Sequence, residues 1–271
     1  MSSGSQFNSL LCVRFYLLHD LKMQKEHPLI KLLIPALALS YLCNSTFAAE
    51  NAYLTPSDAP NSLEILPQPP QADSASFTRD QVIFKQNLQE KNEQRWKQAI
   101  IDADVSNEHL GRPFSEAFGV EINQHSTPIL FEILKKIKLD SRYSTQTAKK
   151  FYNRERPYAF FNVSTCTPDE ENKKNQFVSY PSGHTTIGWT YALVLAQLRP
   201  ERQNEIFKRG IEFGQSRVVC NMHWQSDVDA GRIMGAAQFS RLQADPQFKA
   251  DMIKAKTEIN HLISATHKKS D

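Results

Sequence analysis

The stretch SGHTTIGWTYALVLAQLR at residues 182–199, followed by Pro200, decides the fold. Its apolar side chains fall on nearly every face of a helix, which is typical of a helix buried at the centre of a protein. Serine is favoured at helix N-caps, and proline cannot continue a helix. We therefore predict a central buried helix that begins at Ser182 and ends before Pro200.

Further helical patterns predict an all-α fold: a helical bundle with this central buried helix and an active site between facing helices. A segment rich in proline and polar residues, Asn51 to Ser76, should instead be extended and lie on the surface. The first helix should open with Thr78 and Gln81 as a capping box and carry Phe84, Leu88, Trp96 and Ile100 inward. The predicted helices run from about Thr78 to Asp104, from Thr127-Pro128 onward, from Ser144 to Pro157, and then over Glu201–Val219, Ser226–Leu242 and Pro246–His267.

The net charge is +3 over 271 residues, and four cations and two anions lie in the first 48. The remaining chain holds 28 cations and 27 anions. This near balance argues against a protein that coats nucleic acid or an anionic membrane, because such binding needs a clear excess of Lys and Arg. Any cationic chemistry must be local.

Residues 1–48 are predicted to be an N-terminal extension and signal peptide, with residues 49–271 as one catalytic domain. Lys25 and Lys31 precede an apolar run that ends at Leu42, and Thr46-Phe47-Ala48 offers small residues for cleavage. Met23 is an alternative start. An uncleaved anchor is the other interpretation, but the run is shorter than the roughly 20 residues that cross a bilayer. We expect export to the periplasm and no membrane attachment after cleavage.

Cleavage would remove Cys12 and Cys43 and leave Cys166 and Cys220 in an oxidising compartment. An even number of cysteines in an exported chain favours a disulfide. Two separate buried thiols are the alternative.

Three short segments carry residues suited to phosphate chemistry. Lys149 and Arg156 are seven apart, so both would share one face if they lay on one helix. Alone, such a pair is usually a solvated surface. Pro181-Ser182-Gly183-His184 leads into the central helix, whose first N–H groups can bind an anion. A plain helix cap is the alternative there.

The third segment is Ser216-Arg217, then His223 and Asp227. Asp227 lies one helical turn beyond His223 and can accept its ring N–H, which leaves the other nitrogen as a nucleophile. A satisfied buried histidine is the alternative for His223 alone.

Together the three segments offer every part that phosphoryl transfer needs. Lys149, Arg156 and Arg217, with Ser182 and the amide of Gly183, would bind the phosphate. His223 would attack phosphorus, Asp227 would orient it, and His184 would protonate the leaving oxygen. No spacing typical of zinc ligands occurs, and three cations supply the charge, so we expect neither a metal nor a cofactor.

These residues resemble the bacterial class A nonspecific acid phosphatases, within the type 2 phosphatidic acid phosphatase superfamily that is related to vanadate haloperoxidases. The similarity covers nearly all of the chain after the signal. It rests on Lys149, Arg156-Pro157, Pro181 to His184, Ser216-Arg217, His223 and Asp227, with further likeness at Ser164-Thr165-Cys166, Ser179-Tyr180, Gly188-Trp189, Arg202 to Ile206 and Trp224 to Asp229.

The resemblance implies an all-α periplasmic homo-oligomer that hydrolyses a broad range of phosphate monoesters through a phosphohistidine at mildly acidic pH. It also implies phosphotransfer to alcohols or nucleosides, inhibition by vanadate, and the disulfide between Cys166 and Cys220. Departures at Asn221-Met222 and Arg112-Pro113 leave the substrate preference open.

Three other functions are alternatives to an acid phosphatase. A vanadate-dependent haloperoxidase uses a similar anion site, although this chain is much shorter than those enzymes. A lipid phosphatase would normally carry several membrane spans, whereas no segment after Ala49 supplies about 18 consecutive apolar residues. A phosphate-binding protein without activity would not need the pair of His223 and Asp227.

Overall fold

The computed structural model describes residues 52–90, 92–171 and 175–270, which form helices and loops with no β-strand among them. The predicted all-α fold is confirmed. The predicted signal peptide, Met23, Cys12 and Cys43 lie outside the described residues. The helices are α1 Ser62–Ile65, α2 Ala75–Gln89, α3 Glu93–Ala103, α4 Ser115–Phe118, α5 Pro128–Tyr152, α6 Pro157–Phe160, α7 Pro168–Glu171, α8 Gly183–Leu198, α9 Gln203–Val219, α10 Gln225–Leu242 and α11 Pro246–Ser270.

Helix α8 is the predicted central helix, and it packs against α5, α9, α10 and α11. Ser182 is its N-cap and accepts the amide hydrogen of Thr185 at 3.3 Å. Gly231 of α10 lets the two helices approach closely, because a Cβ there would lie 2.7 Å from the carbonyl oxygen of Ser182. The amide of Ser182 also donates to the carbonyl of Asp227 at 3.0 Å. The start of α8 is thereby fixed against the first turns of α10.

Helix α5 is continuous over 25 residues, so the separate helix predicted to begin at Ser144 is wrong. The hydroxyls of Ser141, Ser144 and Thr145 each donate to the carbonyl four residues earlier, at 2.9 Å. These buried polar side chains are satisfied by their own helix and therefore do not interrupt it. The helix ends at Asn153, which has a left-handed backbone with φ 47°.

The predicted helix from Thr78 to Asp104 is two helices, each with its own N-cap. Ser74 accepts the amide hydrogen of Phe77 at 3.1 Å, and Asn92 accepts that of Arg95 at 2.9 Å. Thr78 lies inside α2, so its predicted capping role is wrong.

The break also removes the apolar face that the prediction assumed. Phe84 is buried as predicted and Trp96 is half-buried, but Leu88 and Ile100 are 40% and 41% exposed. Periodicity counted across the break does not describe one face, because α2 and α3 are separate helices.

The segment predicted as extended surface, Asn51 to Ser76, is partly folded into the protein. It contains the short helix α1, and Leu54 and Leu66 are buried. The amide of Leu54 donates to Asp140 of α5 at 2.9 Å. A composition rich in proline and polar residues did not reveal these few apolar anchors.

The predicted disulfide between Cys166 and Cys220 is present, with an S–S distance of 2.07 Å. It closes a loop that contains the whole of α7, α8 and α9. Among the described residues, none of the helices has both the length and the apolar character that crossing a bilayer requires.

Candidate active site

A cavity of about 290 Å³ lies between α5, the N-terminus of α8 and the end of α9. The structure brings residues of all three predicted segments to this cavity. Its lining includes Lys149, Arg156, Gly183, His184, Arg217 and His223. Ser182 and Asp227 are fully buried beside it. The hydroxyl of Ser182 accepts hydrogen bonds from Thr185, so it caps α8.

Arg217 lies in the last turn of α9 and is fully buried. None of its three guanidinium nitrogens has a hydrogen-bond partner among the described residues. Burial, and then repulsion from Arg156, lower the pKa of Arg217 to about 10, so it remains cationic at neutral and acidic pH. A buried cation without hydrogen bonds is costly unless something pairs with it. Arg217 is therefore suited to bind an anion in the cavity.

Arg156 is not on the same helix as Lys149, and the prediction that both share one helical face is wrong. Helix α5 ends between them, and Arg156 is the N-cap of α6. The left-handed residue Asn153 redirects the chain. The two cations nevertheless converge: Arg156 Nη2 donates to the carbonyl of Val178 at 3.2 Å, and Lys149 Nζ donates to the same oxygen at 2.9 Å.

His223 is buried, and its ring is held from both sides. Nδ1 lies 3.2 Å from Oδ2 of Asp227, and Nε2 lies 3.0 Å from Nη1 of Arg156. A guanidinium can only donate, so Nε2 accepts and carries no hydrogen. Nδ1 then carries the hydrogen and donates it to the carboxylate. This is the tautomer predicted for a nucleophilic Nε2.

His184 lies in the first turn of α8 and lines the cavity. Its Nε2 is 3.0 Å from the carbonyl oxygen of Ala103, at the end of α3. Because a carbonyl can only accept, Nε2 carries a hydrogen. The ring is therefore anchored through Nε2, and Nδ1 is the nitrogen at which a further proton can be gained or lost.

Behind Arg217 the hydroxyl of Ser216 donates to the buried carboxylate of Asp102 at 2.5 Å. Arg95 donates to the same hydroxyl at 2.8 Å, and Arg209 forms an ion pair with Asp102. Asp102 directly precedes Ala103 in α3. This network therefore ties the end of α3, which anchors His184, to the end of α9, which carries Arg217.

Sequence reasoning missed Arg154 and Asp80. Arg154 lies between the predicted Lys149 and Arg156, and its guanidinium forms ion pairs with Asp227 and Asp80. The nearby cations were a signal that this segment is functional. No local pattern, however, indicates that Arg154 contacts Asp227, because 73 residues separate them.

Comparison with known proteins agrees with this geometry. The PAP2 superfamily model matches residues 137–242, which include all three segments. The non-specific acid phosphatase of Salmonella typhi is 43% identical over 84% of this chain and 90% of its own length. The corresponding enzymes of Salmonella typhimurium strain LT2 and Providencia stuartii are 46% and 40% identical, over 76% and 86% of this chain and 83% and 98% of their own lengths.

The chain belongs to the non-specific acid phosphatase family. The predicted family membership is thus confirmed. In this acid phosphatase family member, the residues that match the superfamily model include the cavity lining, both cysteines of the disulfide and helix α8. Within the described residues no three His, Cys, Asp or Glu side chains form a group that could hold a metal ion.

Proposed function

We propose that the protein is an acid phosphatase that hydrolyses a broad range of phosphate monoesters through a phosphohistidine on Nε2 of His223. The observation that carries this proposal is the buried guanidinium of Arg217, which has no hydrogen-bond partner in the described part of the chain and lies in the same cavity as the unprotonated Nε2. The names of the similar proteins support the substrate class. Lys149, Arg156 and Arg217, with the hydroxyl of Ser182 and the amide of Gly183, would bind the phosphate.

In the first step Arg156 donates to the bound phosphate instead of to Nε2. The lone pair of Nε2 then attacks phosphorus, and the bond from phosphorus to the ester oxygen breaks. The bonding electrons go to that oxygen, which takes the proton on Nδ1 of His184. The Nδ1 hydrogen of His223 stays in its bond to Asp227, so the carboxylate balances the positive charge that the ring acquires. The cations around the cavity stabilise the charge on the equatorial oxygens.

In the second step water attacks phosphorus and gives a proton to Nδ1 of His184. The bond from phosphorus to nitrogen breaks, its electrons return to Nε2, and inorganic phosphate leaves. An alcohol or nucleoside that replaces water would give phosphotransfer. His184 is protonated again at the end, so the cycle closes without a metal.

Trapping the intermediate tests the mechanism. After rapid quench with a substrate labelled in its phosphate, we expect acid-labile label on the wild-type protein and none on His223→Ala. The variant should lose turnover but still bind inorganic phosphate, because Arg217 and Lys149 remain. Hydrolysis by His223→Ala at near the wild-type rate would refute the role of His223.

Chelation and inhibition are independent tests. EDTA should leave the activity intact, because three side chains provide the positive charge; a loss that added metal restores would contradict this. Vanadate should inhibit by taking the place of phosphate. Halide oxidation with vanadate, in the absence of phosphatase activity, would instead favour the haloperoxidase alternative.

The role of His184 predicts a mildly acidic optimum. A histidine in water is protonated only below about pH 6.5, so a general acid of this type fails at higher pH. His184→Asn should lose most turnover and flatten the basic limb of the pH profile. An unchanged basic limb in this variant would contradict general acid catalysis by His184.

Export to the periplasm through residues 1–48 and assembly into a homo-oligomer also belong to this proposal. The first is supported by the sequence pattern and the second by the family resemblance. Amino-terminal sequencing of protein from a periplasmic extract tests the cleavage near Ala49, and light scattering tests the assembly.

A further inference from the structure

Arg154 lies between two buried carboxylates, away from the cavity. Its Nη1 is 2.6 Å from Oδ1 of Asp227, and its Nη2 is 2.8 Å from Oδ2 of Asp80. The Arg154 side chain is 8% exposed, and both carboxylates are fully buried. Arg154 does not belong to the cavity lining, which distinguishes it from the phosphate-binding cations.

The two oxygens of Asp227 have separate tasks. Oδ1 is held by Arg154, whereas Oδ2 accepts from the hydroxyl of Ser179 at 2.5 Å and from the amide of Trp224 at 2.9 Å. Oδ2 also faces Nδ1 of His223 at 3.2 Å. With Oδ1 fixed, the carboxylate plane cannot rotate away from the imidazole.

Arg154 is in turn fixed by residues remote from the phosphate. Asp80 comes from α2, and it also accepts the amide hydrogen of Ser226 at 2.9 Å. Arg154 donates to the hydroxyl of Ser226 at 2.8 Å, and its guanidinium lies 5.5 Å from the ring of Trp224. Its position is therefore set by α2 and by the start of α10.

We propose that Arg154, held by Asp80, is a positioning residue for the reaction: it keeps Asp227 oriented so that His223 presents Nε2 to phosphorus. This inference rests on the proposed function, because it assigns Arg154 an effect only through Asp227 and His223. Arg154 should therefore influence the chemical step and leave phosphate binding unchanged.

The test is a double-mutant cycle between Arg154 and Asp227. Arg154→Met alone should lower kcat at least about tenfold, while the inhibition constant of inorganic phosphate changes less than about twofold. In the Asp227→Asn background the same change should lower kcat less than about twofold further, because the path through Asp227 is already broken. The inference would be overturned if Arg154→Met lowered kcat by the same factor in the Asp227→Asn background as in the wild type. It would also be overturned if Arg154→Met weakened the binding of inorganic phosphate as strongly as it lowers kcat.

Two more variants test whether a loss of kcat comes from misfolding. Arg154→Met leaves two buried carboxylates without their cation, so the double variant Asp80→Asn/Arg154→Met removes one of those charges and should fold better. It should show the same loss of kcat. Arg154→Lys, which keeps the charge but not the two-sided fork, should recover part of the activity.

The matched control is Arg79→Met. Arg79 is 60% exposed and pairs with Asp229 at 3.3 Å, outside the site, so its kcat should equal the wild-type value. An active Asp80→Asn/Arg154→Met, with wild-type kcat, would also overturn the inference. If Asp227→Asn itself kept wild-type kcat, the failure would lie in the proposed function instead.

Discussion

Replacing Asp140 by asparagine should make the protein more stable at alkaline pH and remove a dependence of stability on pH. Asp140 is fully buried in α5, and its Oδ1 accepts the amide hydrogen of Leu54 at 2.9 Å. Oδ2 has no hydrogen-bond partner among the described residues. Burial raises the pKa of Asp140 from 3.8 to about 7. Asparagine keeps the acceptor for Leu54 and carries no charge.

The direction in which stability changes with pH follows from the linkage between protonation and folding. Because the folded pKa is the higher one, folding takes up a proton, and the stabilising contribution is fully present below the unfolded pKa. It declines as pH rises and is lost above the folded pKa, near 7. With a pKa of 3.8 in the unfolded chain and about 7 in the folded protein, titration of Asp140 should lower the free energy of unfolding of the wild type. The decrease should be about 2 to 3 kcal/mol between about pH 5 and about pH 8.

Urea unfolding of wild type and Asp140→Asn at both pH values measures the effect. The difference in unfolding free energy between variant and wild type should grow by about 2 to 3 kcal/mol in favour of the variant at the higher pH. Comparing the two proteins cancels every other titrating group. An equal difference at both pH values would refute the reasoning.

Asp251→Asn is the matched control. Burial alone would raise the pKa of Asp251, but hydrogen bonds from Lys136 and Tyr53, both at 3.1 Å, bring it below its ordinary value. A lowered pKa stabilises the fold above the unfolded pKa, so this variant should be less stable by similar amounts at both pH values.

Three further predictions concern stability. Replacing Cys166 and Cys220 by serine should cost about 4 kcal/mol, from the loop that the disulfide closes, and calorimetry should show the loss; an unchanged Tm would contradict it. Glu258 accepts the amide hydrogens of Ile129 at 2.9 Å and Leu130 at 3.1 Å, at the start of α5. Glu258→Ala should therefore lower the free energy of unfolding, measured with urea, by about 1 kcal/mol. An unchanged free energy would exclude this capping role. Gly231→Ala should lower the free energy of unfolding by about 1 to 3 kcal/mol, because the new Cβ would push the start of α8 away from α10. The same shift should reduce kcat. A normal kcat would show that the site tolerates the shift.

The errors in the predicted helices have a common cause. Helix ends depend on capping contacts and on backbone conformation, and Ser144, which was predicted to begin a helix, lies inside α5 and donates its hydroxyl to the carbonyl of Asp140. The capping carboxylate of Glu258 comes from α11, far along the chain. Local patterns therefore located the helices more reliably than their boundaries.

For the candidate site, the sequence determined the types and order of the groups that we propose to react, because residue chemistry and close spacing suffice for that. His223 and Asp227 are only four apart, and the Asp227 carboxylate in the first turn of α10 reaches back to His223, which precedes the helix. The sequence alone also predicted the central helix and favoured a disulfide between the last two cysteines, which the structure confirms. Both follow from composition and count.

Only the tertiary structure decided how the separate segments meet. It placed Arg156 beside His223, beyond the left-handed residue Asn153 that ends α5, and it set Arg154 against Asp227. It also left the Arg217 guanidinium buried with no hydrogen-bond partner among the residues that the structure describes. These relations depend on distances between residues that are far apart in the chain. Packing of whole helices fixes such distances, and no local pattern of side chains encodes them.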